Sequence, residues 1–268
     1  AWSGMKIAGP IGDYKLRFTA TSSNTADPIH NATLDSSLFT LAHGLANKLA
    51  ITRDADGARS DSTLTTQPKI TVQDAEGNTV TGLAATAMDV TIEAAAGGAT
   101  TAATLETATS PNTASGVATF TDIVVKGTAG TYRLVYTLNG TQISNYQTIN
   151  LTAGNAVKID INAQPDLSVK TNEVFGTAPK VRLLDSAGNH AATDSSSSAT
   201  VALVLPNGTV QTASSPVTAN SGYVTFAGLK YLKTPATGFK IEFKLVGSAN
   251  ADATQQSRSF EITPADAA

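Results

Sequence analysis

Several blocks of this chain recur in the same order, and a chain that repeats itself builds its fold from the repeated unit. Gln67-Pro68-Lys69-Ile70-Thr71-Val72-Gln73-Asp74-Ala75-Glu76-Gly77-Asn78 returns, about 111 residues later, as Ala178-Pro179-Lys180-Val181-Arg182-Leu183-Leu184-Asp185-Ser186-Ala187-Gly188-Asn189. Ser115-Gly116-Val117-Ala118-Thr119-Phe120 returns as Ser221-Gly222-Tyr223-Val224-Thr225-Phe226. Gly130-Thr131-Tyr132-Arg133-Leu134-Val135-Tyr136 has counterparts in Gly238-Phe239-Lys240-Ile241-Glu242-Phe243 and in Gly12-Asp13-Tyr14-Lys15-Leu16-Arg17-Phe18. The stretch Leu151–Lys158 matches Leu41–Lys48, and matches again at Ile262–Ala267.

Within the blocks the apolar residues alternate. Tyr132, Leu134 and Tyr136 fall on one face and Arg133 and Val135 on the other; Phe239, Ile241 and Phe243 alternate with Lys240, Glu242 and Lys244. Successive side chains of a strand point to opposite faces, so this period of two describes a strand half-buried in a sandwich. Asp-x-x-Gly-Asn behind a strand supplies the turn: Asp caps the backbone, and Gly and Asn tolerate positive φ. Short strands at this spacing, about seven to a repeat, predict an all-β fold of tandem immunoglobulin-like β-sandwiches. In the last repeat they are expected near 156–162, 178–186, 199–205, 209–214, 222–231, 238–246 and 256–263. The domain boundaries that follow are 1–45 for the C-terminal half of a repeat, 46–154 for a complete repeat and 155–268 for another. Junctions as short as Ala153-Gly154-Asn155 predict semi-rigid hinges rather than flexible tethers.

Composition narrows the function. A net charge of −3 and a pI near 5.6, with no cluster of Lys or Arg, exclude the basic face that nucleic-acid binding requires, and a polybasic membrane patch with it. No apolar run approaches the ~18 residues that span a bilayer, so no membrane insertion is expected of this segment. The chain opens without a basic n-region or apolar h-region, and reads as a fragment or mature segment. It has no cysteine, which removes disulfides, thiol catalysis and Cys-ligated metals together. Ser and Thr make up about a quarter of the residues, well above ordinary globular usage. A cysteine-free, Thr-rich, mildly acidic chain suits the bacterial exterior.

The blocks Pro-Lys-Ile-Thr-Val-Gln-Asp-x-x-Gly-Asn, Gly-Val-Ala-Thr-Phe and Gly-Thr-Tyr-Arg-Leu-x-Tyr resemble the bacterial immunoglobulin-like domains that stand in tandem in invasin- and intimin-like adhesins. They are equally similar to repeats of surface-layer proteins. The resemblance covers essentially the whole chain and rests on structural motifs. It implies sandwich repeats on an extracellular bacterial cell surface and carries over no functional residue.

Candidate sites are few. Asp54, Asp56 and Asp61, in Asp54-Ala55-Asp56-Gly57-Ala58-Arg59-Ser60-Asp61, look like a loop for Ca²⁺, which seeks clustered carboxylate and carbonyl oxygens. Against it, the distal bidentate Glu of an EF-hand is missing, Arg59 opposes a cation, and the equivalent Asn162-Ala163-Gln164-Pro165-Asp166 does not keep the pattern. A solvated turn is the alternative, and no other cofactor is expected. The Asp74 and Asp185 turns recur, and one carboxylate per turn reads as a cap. His30, His43 and His190 lack ligand-like spacing and read as loop residues. Ser195-Ser196-Ser197-Ser198 is a polar loop without a base and orienter, so no enzyme is expected. Sequons at Asn31, Asn139, Asn150 and Asn207 are about as many as chance predicts in so Ser/Thr-rich a chain. Lys48 and Lys158 recur near a first strand, as the lysine of an isopeptide crosslink would, without an identifiable carboxylate partner.

Residues 1–45 present Trp2, Met5, Ile7, Tyr14, Leu16 and Phe18 as the inner face of half a sandwich, with Trp2 at the position of Phe120 and Phe226. Covering strands upstream of Ala1 are the first expectation; strand addition from another molecule is the alternative. The leading function is a structural component of a surface-layer or cell-envelope lattice, whose partners are neighbouring repeats and other copies of the chain. The alternatives are a rigid adhesin stalk that presents a distal binding domain, and a glycan-binding or accessory module of a secreted enzyme.

Overall fold

The computed structural model describes residues 3–97, 102–139 and 142–266. Trp2, Ala267 of the third junction motif and the Gly140-Thr141 part of the Asn139 sequon lie outside the described residues. Apart from one turn of 3-10 helix at Ala251–Ala253, whose Asp252 N–H is capped by the Asn250 side chain, the regular elements described are β-strands. The fold is all-β and immunoglobulin-like.

The first body is a hairpin of β1 (Gly12–Tyr14), β2 (Arg17–Thr19), β3 (Thr33–Asp35) and β4 (Phe39–Leu41), in which β1 pairs with β4 and β2 with β3. The second contains β5 (Lys48–Arg53), β6 (Ser62–Thr63), β7 (Lys69–Gln73), β8 (Met88–Ala94), β9 (Thr104–Thr107), β10 (Val117–Thr119), β11 (Val124–Lys126), β12 (Gly130–Leu138) and β13 (Ser144–Leu151). Its sheets run β10-β7-β5, β13-β12-β8 and β6-β11-β9. The third contains β14 (Lys158–Ala163), β15 (Ser168–Lys170), β16 (Lys180–Leu184), β17 (Ser198–Val204), β18 (Val217–Thr218), β19 (Tyr223–Thr225), β20 (Ala236–Leu245), β21 (Thr254–Gln256) and β22 (Phe260–Thr263). Here the sheets are β14-β16-β19 and β15-β22-β20-β17-β18, with β21 also on β20.

Two separate hydrophobic cores result, one drawn from Leu49 to Leu151 and the other from Ile159 to Ile262. The alternation seen in the sequence is the burial pattern of β12 and β20: Tyr132, Leu134 and Tyr136 are fully buried, as are Ile241 and Phe243. The same aromatic pair anchors each core, Phe120 on Tyr136 at 5.7 Å between ring centroids and Phe226 on Phe243 at 5.6 Å. Small irregularities repeat too. A bulge between Ile51 and Arg53 in the β5–β7 pair returns between Ile161 and Ala163 in β14–β16.

In the last repeat the span expected at 256–263 divides into β21 and β22, β18 lies outside every expected span, and three further points differ. Residues 209–214 form no strand; Val210 makes one isolated bridge to Val204, because Gly208 at φ 84° has already turned the chain. β15, unforeseen, pairs in parallel with β22; with Val169 its only buried residue, it shows no alternation to read. The span expected at 222–231 shortens to β19, and its end survives as a bridge from Val174 to Lys230.

The Tyr136 hydroxyl finds no hydrogen-bond partner among the described residues although its ring is fully buried. Burial, with a smaller contribution from Asp54, pushes its pKa well above the phenol range. A buried polar group without a partner loses hydration with nothing in return. Phe243 occupies the same place in the other core without that cost. Tyr136→Phe is therefore expected to leave the first sandwich equally stable or to stabilise it by about 1 kcal/mol, read from urea unfolding. A loss of more than that reveals an unseen partner for the hydroxyl.

In the hairpin the matching residues are not covered. Tyr14 is 37% and Phe18 38% exposed, where Tyr132 and Tyr136 are at 0%. Met5 and Ile7 are exposed as well and Leu16 is half-buried. β1 and β2 stand where β12 stands in the complete sandwich, but among the described residues no strand takes the place that β8 has there.

Candidate functional site: the interdomain joint

The recurring Asp-x-x-Gly-Asn turn folds as expected in one respect: Gly77 and Gly188 take φ of 93° and 86°. The Asn does not use positive φ; its side chain does other work. Asp185 Oδ1 accepts from Ala187 N (2.9 Å) and Asn189 N (2.8 Å), and Oδ2 from Asn189 Nδ2 (2.8 Å), which closes the turn. Oδ2 also accepts from Gly154 N at 2.8 Å, a residue of the linker that leads out of the preceding sandwich. The Asn189 amide, held by Asp185, faces the end of that sandwich, donating from Nδ2 to the Gly127 carbonyl at 2.9 Å and accepting from Ala129 N at 2.8 Å. A cap read as local is a clamp between two bodies.

The upstream joint repeats the contacts that cross between the bodies. Asp74 Oδ2 accepts from Gly44 N (2.8 Å), and Asn78 donates to the Gly9 carbonyl (3.0 Å) and accepts from Ile11 N (3.1 Å). Asp74 holds Asn78 through its backbone N at 2.8 Å and its Nδ2 at 2.9 Å. Asp74 is 4% exposed, Asp185 1% and Asn189 9%, and each carboxylate is surrounded by N–H donors rather than cations.

Glycine in the linker has a steric reason at the second joint. A methyl group on Gly154 would collide with the Ser60 carbonyl oxygen. Ser60 is fully buried and its hydroxyl accepts from Gly127 N at 3.2 Å, which fixes the backbone that receives Asn189. Arg59 braces the linker from Nε to the Ala153 carbonyl and from Nη2 to Asn155 Oδ1 at 3.1 Å. Two clefts lie beside these joints, one lined by Gly154, Asn189 and Asp194 and the other by Gly9, Gly44 and Asp74.

The carboxylates weighed for Ca²⁺ do not gather. Asp56 accepts from the N–H of Gly57, and Asp61 Oδ2 accepts from Ser186 Oγ across the joint at 3.1 Å. Among the described residues no three His, Cys, Asp or Glu side chains stand close enough together to hold a metal ion. The physical reason is that the loop runs as part of the joint wall, with Ala55, Ala58 and Ser60 turned inward and the carboxylates spread along its outer side. His43 bonds to the Gly44 carbonyl through Nδ1 and takes the Gly82 N–H on Nε2 at 3.2 Å; His190 packs against Tyr223 with ring centroids 4.6 Å apart and planes tilted by 56°; His30 Nδ1 meets the Ser22 carbonyl. Lys158 lies 3.7 Å from Asp252, and Lys48 donates to the Ala75 carbonyl.

Gly44 N–H, then the Asn78 side chain and backbone, hold the Asp74 carboxyl down from 3.8 to about 2. A group whose folded pKa is depressed stabilises the fold above its unfolded pKa, and that stabilisation is lost as pH falls through the folded value. The stabilisation from the upstream clamp is thus expected to be full above about pH 4 and to fade as pH falls through about 2, where the carboxylate in the folded protein is half protonated. The Gly44 amide resonance, followed by NMR during acid titration, should move with a midpoint near 2. A midpoint near that of a free carboxyl contradicts the clamp.

No family model and no curated protein matches the chain. Solved structures similar to it include FdeC, an adhesin of Escherichia coli, 19% identical over 84% of this chain and 67% of that one, with a TM-score of 0.39. The titin I-band fragment I67–I69 is 14% identical over 82% of this chain and 66% of its own, with a TM-score of 0.32. Invasin, a bacterial integrin-binding protein, is 17% identical over 81% of this chain and 39% of its own, with a TM-score of 0.31. The chain thus spans less than two thirds of the length of the titin fragment and of invasin.

Proposed function

We propose that this chain is a rigid rod segment of an extracellular bacterial surface protein, holding successive sandwich domains at fixed orientation so that the array keeps its reach. The observation that supports it is the duplicated joint: the same Asp and Asn contacts at Gly44 and at Gly154, with only residues 152–157 between β13 and β14. A linker of this length, held by the Asp185 and Asn189 hydrogen bonds, behaves as part of the structure, where an unclamped one leaves domains free to reorient. The role is mechanical, and the polar joints, once satisfied, cost little to bury.

Small-angle scattering and residual dipolar couplings on the full chain test it. One alignment tensor shared by residues 46–154 and 155–266 supports a rod; two tensors of different magnitude defeat it. Antibodies to the chain should label the outer face of intact cells that express it, and electron microscopy of those envelopes reads the next level. Isolated projections fit a stalk, while a periodic sheet requires lateral contacts between copies in addition to the joints.

A further inference from the structure

The far pole of the second sandwich is built like the pole that receives the clamp, and can be compared with it position by position. Ser60 N donates to Thr152 O (2.9 Å) as Thr171 N donates to Thr263 O (2.9 Å). Asp61 N donates to Val125 O (2.8 Å) as Asn172 N donates to Tyr231 O (2.8 Å), and both residues sit at φ 61°. Gly127 N donates to Ser60 Oγ as Lys233 N donates to Thr171 Oγ1, each at 3.2 Å. Gly130 pairs with Leu151 as Ala236 pairs with Ile262. The backbone of the socket is therefore present, and its three contact positions, Gly127, Ala129 and Gly154, correspond to Lys233, Pro235 and Ala265.

Each of the three is altered against the clamp. Ala129 supplies the N–H that the Asn189 side chain accepts; Pro235 has no N–H to give. The Gly127 carbonyl takes the Asn189 Nδ2 donor; the Lys233 carbonyl is already engaged by Thr171 Oγ1 at 2.8 Å. Gly154 is where a methyl would strike the Ser60 carbonyl; Ala265 carries that methyl. Beside them Arg59, which braces the linker, is replaced by Lys170, drawn into an ion pair with Asp266 at 2.6 Å.

We infer that the far pole of the second sandwich is an articulation: a domain joined there cannot seat an Asp-x-x-Gly-Asn turn and pivots, whereas the two joints upstream are fixed. This rests on the rod reading and gives the rod a place to bend. A fused chain tests it, in which residues 156–266 are added again directly after Asp266 of the full protein, so that the new linker has the length of the native one. Nitroxide pairs report distance distributions across the native joint and across the added one by pulsed electron spin resonance. The added joint is expected to be several-fold broader than the native joint. Changing Lys233→Gly, Pro235→Ala, Ala265→Gly and Thr171→Ser in the acceptor sandwich should narrow it to the native width. A narrow added joint without those changes, or one still broad after them, overturns the articulation. A broad distribution at the native joint instead overturns the rod reading, so the two failures are told apart within one molecule.

Discussion

Replacing Phe243 by alanine is expected to destabilise the second sandwich by about 3–5 kcal/mol and to leave the first unchanged. The ring is fully buried on β20, packs on Phe226 at 5.6 Å, and lies opposite Val201 of β17 at the centre of its sheet. Truncation removes its transfer free energy and leaves a cavity that β-sheet neighbours, tied by their ladders, cannot close. Domains of this size are stable by about 5–15 kcal/mol in total, so the loss takes away much of the margin. The two cores share no buried residue, and the Asp185 and Asn189 contacts that cross the joint are polar, so the damage should stop there. Hydrogen exchange read by mass spectrometry checks both halves of the claim. Amides from β14 to β22 should lose protection while those of β7, β8 and β12 keep theirs. Loss of protection in both at once means that the bodies fold as one cooperative unit, which contradicts independent cores.

Much of the fold could be read from the residues, for a physical reason. A strand with one face in the core writes its burial into the sequence directly, and Tyr132-Arg133-Leu134-Val135-Tyr136 shows it without ambiguity. The turn residues were equally open, since Gly77 and Gly188 need the left-handed region. What stayed hidden was the use of Asn78 and Asn189. Their partners are backbone groups, the Gly9 and Gly127 carbonyls and the Ile11 and Ala129 amides, and a backbone N–H or C=O leaves no mark on residue identity. The one available signal was a glycine kept at both Gly44 and Gly154 in linkers where no turn demands it. Asp54, Asp56 and Asp61 were legible as carboxylates close together in sequence, but their use was not. Clustered carboxylates in sequence resemble a cation loop; here all three are exposed beside buried Ala55, Ala58 and Ser60, and Asp61 reaches Ser186 across the joint.

The joint itself gives the second large effect. Asp185→Ala is expected to cost the second sandwich about 3 kcal/mol, because burial leaves the donors it satisfied without partners. Four donors are affected: the N–H groups of Gly154, Ala187 and Asn189, and Asn189 Nδ2. At 1% exposure the site admits little water to replace the carboxylate. The variant should also free the joint, since the Asn189 amide loses the group that orients it toward Gly127. Asn189→Ala separates the two roles. It deletes the contacts to Gly127 and Ala129 but leaves Asp185 to accept from Ala187 N, from residue 189 N and from Gly154 N, so its stability loss should be the smaller. Dipolar couplings should nonetheless split into two alignment tensors. If Asp185→Ala lowers stability while the couplings of both variants still fit one tensor, the turn is only a cap and the orientation of the domains has another cause. If both variants split the tensor, and only the aspartate substitution lowers the unfolding midpoint substantially, one conserved geometry is performing two separable tasks: the carboxylate builds the turn, and the amide it holds locks that turn to the domain before it.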